Sequence, residues 1–244
     1  VTTLAADLSL DGSDHLDTLA VVETVPAGAV HHPHRLRVAA YALVEGSLHR
    51  TWFADVDTDG ARTEVTQARG IEAPDLVLVN DEDLTYAKTH LDERSLSTVL
   101  GHPEALTDPM VQHLVLDALW HMCRDGALPS SQYVDTVLAV LPRVTNSQVI
   151  ETQLDNLGAA VARYTPPASA DALAASASAS LRAALEQAPA GSDLQLSLLR
   201  AYAANATDGH AEHLRALLES DVELDGLPID SELSWDLVTA LARC

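Results

Sequence analysis

Near residue 92 the hydrophobic pattern of this 244-residue chain changes period, from two to about 3.6, and no other feature constrains the fold as much. A strand turns alternate side chains to one face, whereas a helix turns every third or fourth, so one kind of element cannot serve both halves. From Leu4 to about Leu91, short segments rich in β-branched and aromatic residues are broken by Gly, Pro, Asn and Asp roughly every ten residues. In His34–Val44, Leu36, Val38 and Ala40 share one face and Arg35 and Arg37 the other. Glu45-Gly46 then turns the chain into Leu48–Val56, and Asp59-Gly60 turns it again toward Arg62–Val65. Leu76–Val79 is apolar on both faces, which predicts a central strand covered from either side.

After Asp92 no convincing strand follows. Val111, Leu114, Val115, Ala118, Leu119 and Met122 form one apolar stripe behind Asp108-Pro109, an N-cap followed by proline at the first helical position. Ser130 or Ser131 is expected to open the next helix, burying Tyr133, Val134, Val137, Leu138 and Leu141 before Pro142 stops it. Val149–Tyr164, Leu173–Leu185, Leu194–Tyr202, Leu214–Leu218 and Leu233–Leu241 repeat the theme between short Gly- or Pro-containing breaks. Ala175–Ser180 alternates Ala and Ser, and reads either as a thin, closely packing helix or as a flexible linker. Such short links force antiparallel packing of neighbours, and the helices share no strict repeat. The expectation is a small β-sandwich over residues 1–92 and an all-α, HEAT-like helical solenoid over 93–244.

Hydrophobic residues make up 47% of the chain and aromatics 4%, a composition of packed helices rather than of disorder. Thirty-six acidic residues against 14 Lys and Arg give a formal net charge of −22, a field that repels nucleic acid and anionic membrane surfaces. The acidity reads as a self-repelling solvated surface, with attraction of cationic substrates as the alternative. Two cysteines, Cys123 and Cys244, make neither a disulfide framework nor a Cys-rich metal site, and suit a reducing cytoplasm. There is no run of about 18 apolar residues and no signal-peptide pattern. The start at Val1, directly in patterned sequence, reads as an excised piece.

The sequence predicts no catalytic, cofactor-binding or metal residues in this chain. None of the 11 histidines is followed by Glu, so the HExxH zinc constellation is missing. His210 and His213 around Glu212 read as a solvated helix surface, and His31-His32-Pro33-His34 as an exposed proline turn before a strand. Asp55-Val56-Asp57-Thr58-Asp59-Gly60 copies the first half of an EF-hand loop, but Thr66 stands at the twelfth position and Glu64 falls two short. An acidic β-hairpin tip is the expectation there. Cys123 falls on an apolar helix stripe as an unreactive thiol, and His113 and His121 flank that stripe. Trp120 and Trp235 read as interhelical packing residues. No nucleophile elbow, phosphate loop or dinucleotide fingerprint occurs.

Asp75–Arg94, reading Asp-Leu-Val-Leu-Val-Asn-Asp-Glu-Asp-Leu-Thr-Tyr-Ala-Lys-Thr-His-Leu-Asp-Glu-Arg, resembles the stretch joining the β-sandwich to the helical domain in aminopeptidase N-type zinc aminopeptidases, actinobacterial ones especially. Val1-Thr2-Thr3-Leu4, Pro33-His34-Arg35-Leu36, Gly126-Ala127-Leu128-Pro129 and Gly226-Leu227-Pro228-Ile229-Asp230 with Leu233 and Trp235 are similar to further segments in order. The similarity thins between Thr165 and Ala188, and Ser234 departs from an expected Arg.

The resemblance implies the non-catalytic C-terminal region of a cytoplasmic zinc metallo-aminopeptidase that removes N-terminal residues from peptides. Its zinc ligands and glutamate base would lie upstream, no cofactor would be bound here, and the helical part would cover the active site and control peptide access. The implied partners are the missing N-terminal and catalytic domains of the same chain and peptide substrates. Tyr86 is then expected as a strand residue packing at the domain junction, not as the family's catalytic tyrosine. The rival reading is a free-standing helical-repeat module that binds peptides or proteins.

Overall fold

Every strand of the computed structural model, which describes residues 1–244 throughout, lies before residue 92. They are β1 (Thr3–Leu10), β2 (Leu16–Thr24), β3 (His34–Val44), β4 (Ser47–Thr58), β5 (Arg62–Glu64), β6 (Leu76–Asp81) and β7 (Lys88–His90). They form two sheets, in the orders β5-β2-β1-β7 and β4-β3-β6. One apolar core draws on both: Leu4, Leu19 and Val21 from the first, Leu36, Val38, Val56, Val77 and Val79 from the second. Burying a side chain of this size contributes about 1.5–3 kcal/mol, and the alternation in β1 to β4 aims those residues at one core. Glu45 and Gly46, both at positive φ, make the tight β3–β4 turn anticipated from sequence.

Two strand expectations need correction. β6 is fully buried yet is the last strand of its sheet, not a central one. Its faces are covered by the core and by α1 (Glu93–Gly101), and the Val77 N–H donates to Ser95 Oγ of that helix at 2.8 Å. Asp59-Gly60 is not a hairpin tip either. β5 leaves the sheet of β4 and pairs with β2, Val22 opposite Arg62, so the turn carries the chain from one sheet to the other.

Helices begin at Glu93, where the Asp92 carboxylate accepts the Arg94 and Ser95 N–H groups. Such a cap contributes about 1 kcal/mol. α1 is followed by α2 (Pro109–Arg124), whose first turn bonds to Asp108 Oδ1 as the Asp-Pro pair predicts. Then come α3 (Ser130–Val140), α4 (Ser147–Arg163), α5 (Ala170–Gln187), α6 (Asp193–Asn205), α7 (Ala211–Leu218) and α8 (Ser231–Leu241). α5 runs unbroken through the Ala/Ser alternation and buries Ala177 and Ser178. Ser130 does not cap α3: Pro129 occupies that position, and the buried Ser130 hydroxyl instead meets Thr165 Oγ1 at 2.9 Å. Leu138 is half-buried, not in the core.

Two compact units result, Val1–Met122 and Cys123–Cys244. Within the second, α3 packs on α4 and α5, α4 on α5 and α6, α5 on α6, α6 on α8, and α7 on α8. Asn146, Ser192 and Asp230 cap α4, α6 and α8 through their side chains. No helix is long and apolar enough to cross a membrane.

The links before α6 and before α8 meet backbone to backbone. Gly191 and Gly226 both sit at positive φ, and a Cβ on Gly226 would lie 2.6 Å from Gly191 N. Gly226→Ala is therefore expected to destabilise by at least about 2 kcal/mol, adding a clash to left-handed strain. Gly126→Ala, equally left-handed at φ +75 but with nothing within 4 Å of the new Cβ, should lose only the conformational part, roughly 1 kcal/mol. Urea melts of both variants measure the difference, and equal losses would show that the close approach contributes nothing.

Candidate functional site

Polar residues gather in three places, and the chemistry open to the chain follows from how each is bonded. At one end of the strands Glu23 occupies an inward-facing position of β2, sharing parity with Leu19 and Val21, and its side chain is 1% exposed. Thr2 Oγ1 donates to Glu23 Oε1 at 3.0 Å, and His31 Nδ1 lies 3.0 Å from Oε2. His34 Nδ1 pairs with Thr85 Oγ1 at 2.8 Å, while its Nε2 faces Glu23 Oε1 at 3.4 Å without good alignment. Burial would raise the Glu23 carboxyl, but the hydrogen bonds from His31, Thr2 and the His32 N–H, with the His34 ring close by, hold it below the ordinary carboxylate value. Of the His31–His34 run, His32 is exposed as expected, whereas His34 is nine-tenths buried.

Thr85, His34 and Glu23 follow the order hydroxyl, imidazole, carboxylate, which is the order of an acyl-transfer site. The geometry does not support that chemistry. The imidazole–carboxylate contact is long, and the Thr85 N–H, which could have served an oxyanion, donates to Asn80 Oδ1 at 2.9 Å. The cluster holds loops together.

On the outer face of the second sheet, Asp81 is buried and accepts the Tyr41 hydroxyl and Arg50 Nη1, both at 2.8 Å. Glu82 bridges Arg50 and Arg37, and Arg37 continues to Asp55 at 2.8 Å. Both guanidiniums lie over the Phe53 ring, 4.5 and 5.2 Å from its centroid. Burial and the neighbouring Asp81 raise the Tyr41 phenol far above the ordinary value, so it stays a hydrogen-bond donor. Asp55, the first acid of the EF-hand-like run, is thus committed to Arg37, and Asp57 lies 3.6 Å from Arg35.

In the second unit Tyr202 is fully buried, its hydroxyl 3.1 Å from His213 Nδ1 and its phenol pushed up to about 12 by burial. His210 Nδ1 meets Ser178 Oγ at 3.2 Å and Thr207 Oγ1 at 3.1 Å. His210 and His213 are therefore not a solvated helix surface; the rings turn inward because Tyr202 and Ser178 offer buried partners. Burial, aided by Arg182, lowers both imidazoles below 6.5.

Trp235 is the reverse case: expected in helix packing, it is 71% exposed on α8. Tyr86 too is corrected as to its element, lying not on a strand but in the loop before β7, where it is 88% exposed within this chain. Cys123 is buried, and burial raises its thiol away from nucleophilic form.

No three His, Cys, Asp or Glu side chains converge as a metal would need, and the best-placed carboxylate, Glu23, already serves Thr2 and His31. What the second unit offers instead is a groove of about 510 Å³ between α4 and α6. Gly158, Ala162, Ala201 and Ala204 are among the small residues lining it, and Glu151, Asp155, Asn205 and Arg200 supply polar groups. Arg200 is held from α8 by Glu232 at 2.6 Å and Asp236 at 3.7 Å. Sequence gave no hint of this groove. Glu23, by contrast, was readable as an acid in register with core residues of its strand.

Residues 76–244 match the family model described as the ERAP1-like C-terminal domain. The chain is also 33% identical over 251 residues to Aminopeptidase N of Streptomyces lividans, an alignment that takes in 99% of this chain and 29% of that protein. It therefore spans less than a third of the length of this relative.

Two pH windows follow from the buried groups. His210 and His213 have lowered values in the fold, so below 6.5 the unfolded chain binds more protons; their contribution is complete above that value and is lost as pH falls through it. Glu23 is lowered as an acid, so its contribution is complete above 4.5 and lost only at more acid pH. Thermal melts in low salt should thus show a first loss of stability as pH falls from about 6.5 toward the carboxylate range, reduced in His213→Gln and unchanged in Glu23→Gln. A melting temperature flat across that interval would contradict the inward-facing histidines.

Proposed function

Because the chain belongs to the family of ERAP1-like C-terminal domains, we propose that it is the non-catalytic C-terminal region of a zinc metallo-aminopeptidase, a hydrolase that removes N-terminal residues from peptides. The observation that carries this reading is similarity along almost the whole chain to an Aminopeptidase N of which it covers only 29%. The catalytic residues, the zinc and its ligands belong, in this proposal, to parts of a longer polypeptide; the chain itself supplies no catalytic, cofactor-binding or metal residue. In line with this, the titratable groups in its three polar clusters are occupied in holding loops and helices.

In the same reading residues 1–92 are a β-sandwich domain and 93–244 a HEAT-like helical cap. The stacking of helices within Cys123–Cys244 supports the helical part of this reading: α4, α6 and α8 touch in succession, as the second members of stacked hairpins would, although the compact unit of the strands extends to Met122. The cap covers the active site of the longer enzyme and controls which peptides reach it, and the groove between α4 and α6 is a surface for an extended chain. The partners are then the remaining domains of the same polypeptide and peptide substrates, in the cytoplasm, with no role for nucleic acid or membrane. The acidic surface is consistent with both exclusions.

The purified chain, supplied with zinc, is expected to give no turnover of an aminoacyl chromogenic substrate, while the longer gene product containing it hydrolyses the same substrate and loses selectivity for peptide length when residues 123–244 are removed. Turnover by the chain alone would place chemistry within it. A gene product that lacks any HExxH segment would leave the peptide-binding module as the better account.

A further inference from the structure

In the unit Val1–Met122, the start of β1, the end of β2 and the start of β7 meet at one end, as Thr3 opposite Thr24 and Thr3 opposite Lys88 require. The His34–Thr85 and His31–Glu23 contacts bring the loops before β3 and β7 to the same end. Three apolar side chains on these loops stand in solvent: Val30 at 65%, Leu84 at 52% and Tyr86 at 88% exposure. Single exposed leucines or valines need no explanation. A loop built to present them does.

The loop carrying Leu84 and Tyr86 is built. Asn80, itself buried, clasps Thr85 twice, accepting its N–H at 2.9 Å and donating to its carbonyl at 2.8 Å. Thr85 is anchored inward on His34, so its neighbours Leu84 and Tyr86 flank a fixed point. Asn80, Glu82 and Asp83 all hold left-handed backbone, at φ 67, 66 and 53, a conformation that Asn and Asp enter more readily than other residues but that disfavours Glu82 by about 1–2 kcal/mol. Glu82 is further fixed by Arg37 and Arg50. A strained loop pinned by side-chain bonds, with a rigid aromatic held outward, has its ordering entropy spent before any partner arrives, which is the character of an interface anchor.

The geometry points to this end of the strands as the docking surface for the part of the longer aminopeptidase that lies outside these 244 residues, with Tyr86 as its anchor. The inference rests on the proposed function. Two observations select that occupant. The relative has more than two thirds of its length unaccounted for by this chain, and any polypeptide entering β1 passes beside the patch, because the Thr2 carbonyl accepts the Lys88 N–H two residues from Tyr86. A second copy of the chain is disfavoured, since each carries a formal charge of −22.

Hydroxyl-radical footprinting of the longer protein, read by mass spectrometry at Tyr86, tests this. In the folded protein Tyr86 should be oxidised at least about fivefold more slowly than in the unfolded protein, at every dilution, because an anchor is sealed from water. Tyr86→Ser should lower the thermal midpoint of the longer protein, as a merely exposed residue would not. Oxidation at the unfolded rate would overturn the inference, and so would protection that disappears on dilution, which would identify a second copy. Zinc content and aminoacyl-substrate hydrolysis of the same preparation report separately on the proposed function, so its failure is distinguishable from failure of the docking surface.

Discussion

A relay of three groups joins the two kinds of architecture in this chain. The Val77 N–H on the outer edge of β6 donates to Ser95 Oγ, and Ser95 Oγ in turn donates to the carboxylate of Asp92, which also caps α1. An edge strand normally exposes such donors to water or to another strand. Here the first helix takes one up and is itself started by the carboxylate at the far end of the relay. Bonds in series of this kind polarise one another, and the buried Ser95 leaves no room for water to substitute. Arg94 adds a bond to the Pro74 carbonyl, so the N-terminal end of β6 is tied at two points to the residues that open the helical half. The switch of period at Asp92 is thus a bonded junction and not only a change in pattern.

Most of the backbone was legible because burial of apolar residues leaves a periodic trace. Leu36 and Val38, the stripe from Val111 to Met122, and the Asp108-Pro109 start all stand where alternation and capping put them. The misreadings share one cause, which is that the partner of a polar or aromatic side chain is chosen by tertiary structure. His210 and His213 look like surface residues until Tyr202 and Ser178 arrive beside them. Trp235 and Tyr86 look like packing residues, yet their elements present them outward. β6 reads as central since sequence records burial of both faces and cannot record that Ser95 of a helix, rather than another strand, takes up the Val77 N–H on its outer edge. The groove between α4 and α6 leaves even less trace, because alanines and a glycine that line a concavity look the same in sequence as alanines that fill a contact.

Charge is distributed with the same division of labour. The cations are almost all arginine, and they are used locally: Arg37 and Arg50 across the second sheet, Arg62 between Asp7 and Glu64, Arg200 between Glu232 and Asp236. The planar guanidinium suits such bridging, since it can donate to two carboxylates at once. With the cations engaged in this way, the surplus carboxylates act on solvent and on approaching molecules as a group. Exposed pairs of this sort add little stability individually, so their value here is in fixing side chains and setting the sign of the field.

The pattern of commitment also fits the proposal that a chain with 11 histidines and 36 acids leaves the reaction to other parts of a longer polypeptide. Catalytic groups must be held with capacity left over: a carboxylate free to take a proton, an imidazole open to substrate, a donor aimed at an empty position. Glu23 is surrounded by donors, Asp81 is shared by Tyr41 and Arg50, and the Thr85 N–H is claimed by Asn80. In each cluster the groups that chemistry would need are those that hold the fold. The features left unspent are of another kind, a pinned aromatic loop in one unit and a small-residue groove in the other, and in the proposed reading both would hold polypeptide.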